Sequence, residues 1–186
     1  MRTLGQTPLF MVRGDQPDFD KQLSRLGYAV KDPVVVLEGP LEGEILEPPQ
    51  PVSAFPIWPP LQIMKDLWAA GGIGPERLNV MARSCDPKTA VLGRVEDRAA
   101  GCAFLAVHGE IAVIHAVEVL AAHRRKGLAR NMVRAAAIWA KSRGASRFAT
   151  LVTKVNAPSL ALFASLGLSP VEQYHYRVLV EEKQTE

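Results

Sequence analysis

Apolar residues recur along this chain with two periods, and the switches between them mark out the elements. Short apolar runs at Leu9-Phe10-Met11-Val12 and Val34-Val35-Val36-Leu37 predict strands, and the amphipathic stretch between them, Asp18 to Leu26, predicts a helix stopped by Gly27. Further on, helices are predicted from Leu61 to Ala70, ended by Gly71-Gly72, and from Pro75 to about Ser84. Three strands follow, Ala90 to Val95, Gly101 to Val107 and Ile111 to Leu120, with Glu96-Asp97-Arg98 and His108-Gly109-Glu110 as turns. The strongest helical signal runs from Gly127 to Arg143, where Leu128, Met132, Ala135 and Trp139 share one face. A strand from Phe148 to Thr153, a helix from Pro158 to Leu166 closed by Gly167, and a strand around Tyr174 to Val180 complete the pattern. The late strand-helix-strand run implies a parallel pair inside an otherwise antiparallel sheet, an α/β fold with a mixed sheet.

Residues 47–60 hold six prolines, which forbid a helix and disfavour a central strand. This segment is expected to link an N-terminal β-α-β unit, 1–46, to a main domain over 61–182. The N-terminal unit also aligns with the end of the chain. Placing Gly27 on Gly167, an offset of 140 positions, matches Leu26 with Leu166, Leu23 with Phe163, Pro17 with Ala157 and Val12 with Val152 without a gap. One reading is an internal repeat, the first 45 residues being half of a second copy; a chance match of two β-α-β units is the other. The unit's strand edges need covering. It either packs on the main domain or completes the sheet of a partner chain in a homodimer.

Composition narrows the class. The 186 residues are 48% hydrophobic and 22% charged with a net charge of +3, which excludes disordered, collagenous and coiled-coil chains. The basic excess is too small to imply nucleic acid, and the basic residues lack interleaved aromatics. Cys85 and Cys102 have no metal-ligand spacing and are expected as buried thiols, with no metal site. No window is apolar enough to span a membrane and no secretory leader is legible, so a cytoplasmic protein is expected.

The chemistry concentrates between His115 and Arg130. An apolar strand ends in a loop carrying Arg124, Arg125 and Lys126, which turns through Gly127 into a helix. The start of a helix offers unpaired N–H groups and the positive end of the dipole, a natural place for phosphate or pyrophosphate. A solvated charge run is the alternative, but cations at a helix N-terminus oppose the dipole, and that conflict favours function. Walker and dinucleotide-binding glycine patterns are absent.

Arg124-Arg125-Lys126-Gly127-Leu128-Ala129 fits the signature R/Q-x-x-G-x-G/A, flanked by the expected strand and helix. An Asn after the next strand, followed by a helix ending Leu-Gly-aliphatic, recurs from Asn156 to Leu168. With both motifs in order, the chain resembles the GNAT acyltransferase superfamily over roughly residues 60 to 180, and its first 45 residues resemble half of another such domain, as in tandem members. The resemblance implies a GNAT fold, with acetyl-CoA as cosubstrate in a cleft between two splayed strands. It places main-chain groups of Val117 and Val119 on the pantetheine arm. Backbone N–H groups from Arg125 through Lys126, Gly127 and Leu128 to Ala129 hold the pyrophosphate, with Arg124, Arg125 and Lys126 adding charge. Asn156 contacts the pantetheine or positions a water, and Phe163 packs near the thioester.

The implied reaction is acetyl transfer to a primary amine of a small molecule or peptide. Many members have a tyrosine acid where this chain has Phe163, and a phenyl ring has no proton to give. Tyr174 or Tyr176 is the substitute acid that the sequence offers. Glu118 is the candidate base; His115 has opposite strand parity, so only a bulge brings both to one cleft. Two other readings stand beside this one: a protein N-terminal acetyltransferase, and a non-catalytic acyl-CoA-binding module.

Overall fold

The computed structural model describes residues 7–179. Eight strands form one mixed sheet: β1 (Leu9–Arg13), β2 (Tyr28–Pro40), β3 (Ala54–Ile57), β4 (Lys88–Val95), β5 (Arg98–His108), β6 (Ile111–Val119), β7 (Arg147–Thr153) and β8 (Ser169–Leu179), in the order β1-β8-β2-β7-β6-β5-β4-β3. The helices are α1 (Pro17–Arg25), α2 (Gln62–Ala70), α3 (Pro75–Arg83), α4 (Leu128–Ser142) and α5 (Ala157–Ala164). Every predicted element is present, and most bounds move by one or two residues. Two strands are much longer than expected. β2 begins at Tyr28 and crosses Pro33, with Asp32 at φ 46°, and β8 begins at Ser169. Both extensions are largely exposed, so no hydrophobic alternation betrays them in the sequence.

The chain forms two compact units. The larger, Glu38–Thr150 with Ala161–Ser169, holds the antiparallel run β3 to β6 and the parallel pair β6–β7. The proline segment is more than a spacer: Ala54–Ile57 pairs with β4 as the edge strand β3, and an edge tolerates Pro56. One face of the sheet carries α2 and α3, with Met64, Trp68, Met81, Ala90, Cys102 and Phe104 buried together. The other carries α4, which buries Leu128, Met132, Val133, Ala136 and Ala140. Trp139, expected on that face, is only half-buried and lies beneath Arg143, 5.3 Å from the guanidinium. Helix α4 comes close because its seat is a glycine pair, Gly93 on β4 opposite Gly101 on β5. A Cβ on Gly93 would stand 2.5 Å from Met132 Sδ.

The smaller unit comprises, among the described residues, 7–37, 151–160 and 170–179, and holds most of the two β-α-β segments that the sequence alignment matched. β1-α1-β2 and β7-α5-β8 follow the same course, with Gly27 and Gly167 both left-handed at φ 82° and 89°. The strand order shows an exchange: β1 pairs with β8, while β2 lies between β8 and β7. Each copy's first strand therefore lies beside the other copy's second strand. Within this unit Asp20 accepts from Arg177 at both oxygens, at 2.8 and 2.9 Å, and lies 2.7 Å from His175 Nε2. Arg177 also donates to the Tyr28 carbonyl, so one buried guanidinium ties α1, β2 and β8 together.

The Arg177 bonds, assisted by His175, hold the Asp20 carboxyl down at about 2 against an ordinary 3.8. A depressed carboxylate contributes stability that is full above its unfolded value and is lost as pH falls through the folded one. Asp20→Asn is therefore expected to cost about 2–4 kcal/mol near neutral pH, since Arg177 loses its charge partner. The difference from the parent should shrink between about pH 4 and pH 2. Urea unfolding across that range measures both effects.

Candidate active site

Strand β6 carries an irregularity that sets the site. Cys102 on β5 faces Glu118 and Phe104 faces His115, so Ala116 and Val117 together oppose one residue, Ala103, in a β-bulge. Ala116 takes φ 52°, and its carbonyl accepts a 2.8 Å bond from the indole of the fully buried Trp68. The extra residue reverses the strand parity. His115 and Glu118, expected on opposite faces of a regular strand, lie on the same face, because Cys102 and Phe104 do.

Burial raises the Glu118 carboxyl above the usual carboxylate range, and Arg124 only partly offsets this. The carboxyl rests against the end of α2, where a Cβ added to Gly71 would stand 2.7 Å from Glu118 Cδ. Burial, aided by the charge of Arg77, pushes the His115 imidazole down to about 4, so it is neutral near pH 7. Cys102 is pushed up to about 12 by burial and by Glu118, which makes it an inert thiol. Cys85, expected buried, is exposed in the turn between α3 and β4.

The parallel register of β6 with β7 ends at Ile114 and Thr150, yet β6 continues to Val119. The Leu120 amide donates to Ala100 on the β5 side, so by alternation the main-chain groups of Val119 and Val117 point away from β5. One of them is engaged: the Val119 carbonyl accepts a 3.1 Å bond from Arg124 Nε. A short helical turn, Ala121–His123, leads into the basic loop. The Nδ1 of His123 in that turn is buried and, among the described residues, has no hydrogen-bond partner.

Arg125 and Gly127 are both left-handed, at φ 64° and 78°, and no side chain caps α4 at Gly127. Left-handed residues thus flank Lys126, the kind of backbone from which anion nests are built, and the first helical turn adds N–H groups without intrahelical partners. Arg124 and Arg125 are exposed, whereas Lys126 Nζ is drawn to Glu96 at 2.8 Å. Beside this turn a cavity of about 310 Å³ is lined by Arg94, Glu96, Asp97, Lys126 and Asn131. Its ion pairs, Lys126–Glu96 and Arg94–Asp97, neutralise one another.

The remaining sequence candidates fall elsewhere. Phe163 is buried within α5 in the larger unit. Asn156, Tyr174 and Tyr176 belong to the smaller one. Asn156 is exposed and its Oδ1 accepts the Ser159 amide at 3.2 Å, the bond of a helix cap for α5. Tyr174 and Tyr176 share a face of β8 in edge contact, their centroids 5.6 Å apart, opposite Arg13 and Met11 of β1. His175 is the Asp20 partner. Sequence reasoning missed the roles of Trp68 and Gly71; both act across the fold on β6, a relation with no local signal.

Residues 60–168 match the acetyltransferase (GNAT) family, and the chain belongs to that family. Curated relatives include an uncharacterised N-acetyltransferase of Bacillus subtilis (strain 168), 38% identical over 56 residues, which are 30% of this chain and 23% of that protein. An aminoglycoside N(6')-acetyltransferase of Acinetobacter haemolyticus is 35% identical over 66 residues, 36% of this chain and 46% of that one. The matches thus span less than half of either relative. Among solved structures, a GCN5-related N-acetyltransferase from Kribbella flavida aligns with TM-score 0.71 at 17% identity, over 97% of this chain and 71% of that one. A tandem GNAT protein from the clavulanic acid biosynthesis pathway aligns with TM-score 0.68 at 12% identity, over 98% and 67%. At these identities the structures attest to the fold.

Gly71 gives a direct test of the Glu118 environment. Its φ of −85° suits alanine, so Gly71→Ala should fold with little loss of stability while its methyl displaces the Glu118 carboxyl toward solvent. A carbon-13 NMR titration of that carboxyl is expected to move down toward 4.5 in the variant.

Proposed function

We propose that the protein is an acetyl-CoA-dependent N-acetyltransferase acting on a primary amine of a small molecule or peptide. The observation that carries this reading is the nest from Arg124 to Ala129 at the end of β6, in a chain of the GNAT family. The residues fit the cosubstrate. Unpaired amides from Arg125 to Ala129 suit a pyrophosphate, and the exposed Arg124 and Arg125 suit its charge. Lys126 is assigned a different duty, anchoring the loop to Glu96 on the β4–β5 turn.

The outward main-chain groups of Val117 and Val119 are assigned to the pantetheine amides. Because Arg124 holds the Val119 carbonyl, the Val119 amide or a shift of Arg124 must serve there. Bound acetyl-CoA supplies an activated thioester carbonyl, at which a C–N bond forms, the C–S bond breaks and CoA departs as thiol. Glu118 takes the amine proton, directly or through water, and its raised affinity for protons suits that task. Phe163 packs without a proton to give, so the departing sulfur takes its proton from water.

That buried phenyl ring also favours a second reading, an acyl-CoA-binding module without turnover. The two readings part on acceptor-dependent thiol release. Calorimetric titration with acetyl-CoA is expected to give a dissociation constant of about 1–100 μM. Arg124→Ala with Gly127→Glu should abolish binding, and retention would remove the assigned site. With an accepted amine, Glu118→Gln should lower kcat by about 10²–10⁴ and erase an acidic limb of the pH profile that lies above 4.5 in the parent. Binding without thiol release across a broad amine panel would instead favour the module.

A further inference from the structure

On the α2/α3 side of the bulge stands a cation that the reaction as assigned does not use. Arg77 lies on α3 four residues before Met81, so the two share a face of the helix. Met81 is buried against Cys102 and Phe104, whose strand partners are Glu118 and His115. Arg77 is therefore on the sheet-facing side, one turn nearer the start of α3. That start follows the turn whose first glycine, Gly71, touches Glu118. The Arg77 charge is felt at His115.

Arg77 is exposed, and among the described residues its guanidinium has no hydrogen-bond or ion-pair partner, while its backbone amide donates to the Gly74 carbonyl. The nearby anions do not answer it. Glu76 turns its carboxylate back on Gly74, to 3.0 Å from where a Cβ would lie, and Asp66 accepts from Gln62 at 2.8 Å. His115 is neutral near pH 7 and does not repel a cation or attract an anion. Glu118 and His115 lie two regular strand steps apart once the bulge is discounted, about 7 Å.

We propose that the acceptor is an amino acid-like molecule whose carboxylate is held by Arg77 while its amine faces Glu118. A carboxylate suits the site better than a phosphate. One guanidinium can meet a carboxylate with two parallel bonds, whereas a dianion ordinarily gathers several donors. The inference rests on the acetyl-transfer reading for the role of the amine, but the binding of the carboxylate stands apart from turnover.

The test compares 5-aminopentanoate with pentylamine, by calorimetry on the CoA-saturated protein and by thiol release from acetyl-CoA. The parent should bind the amino acid at least about tenfold more tightly than the amine. Arg77→Ala should erase that difference, and Arg77→Lys should restore part of it. Because the side chain is exposed, the unfolding midpoint of Arg77→Ala should match the parent. Equal binding of the two ligands by the parent, binding of neither, or an equal loss of both in Arg77→Ala would overturn the inference. Carboxylate-dependent binding without thiol release would support it and remove the acetyl-transfer reading instead.

Discussion

At Ala116 the backbone of β6 accommodates one residue more than β5 can pair, and the proposed site hangs on that misfit. The bulge reverses the side-chain parity downstream, which turns Glu118 onto the face it shares with His115, toward α2 and α3. It also leaves a carbonyl out of register, and the buried Trp68 indole answers it. An unanswered carbonyl would carry a desolvation cost of about 1–3 kcal/mol, so the tryptophan stabilises the irregularity. Gly71 completes the arrangement from α2 by leaving room for the carboxyl. Trp68 and Gly71, at the end of α2, thus act with the bulge at Ala116 to set the position and proton affinity of one glutamate.

The same economy of space seats the anion nest. Helix α4 can lie close to the sheet because β4 and β5 present Gly93 and Gly101 to Met132 and Leu128. Close packing fixes the helix start, and the left-handed Arg125 and Gly127 then decide which way the loop amides face. A non-glycine residue in that conformation is uncommon and costs free energy. Here the cost sits in a loop whose amides have no partner inside the helix, where strain and anion-binding capacity coincide. Lys126, bound to Glu96, steadies the loop from the neighbouring hairpin.

In the smaller unit the two aligned β-α-β segments interleave through strand pairing. β1 finds its partner in β8, from the other copy, and Arg177 joins α1, β2 and β8 through Asp20 and the Tyr28 carbonyl. Exchange of this kind makes the strand pairing of each β-α-β segment depend on the other. Val12 and Val152 are both buried, but Leu26 is 68% exposed where Leu166 is 1% exposed, so the two sites have been under different packing constraints.

The sequence by itself determined the elements, the mixed sheet and the family, because each is written locally: in alternation, in helical spacing, in glycines at helix ends, in the motif around Gly127. Where a strand is exposed on its faces, as at the start of β2 and of β8, the same signals fall silent. Only the tertiary structure decided that His115 and Glu118 share a face, that Cys85 is exposed, that part of the proline segment is an edge strand, and that Arg177 meets Asp20. The physical reason is common to all four. Each is a relation between chain segments fixed by strand register and packing, and no residue carries in its own neighbourhood the register at which a distant strand will meet it.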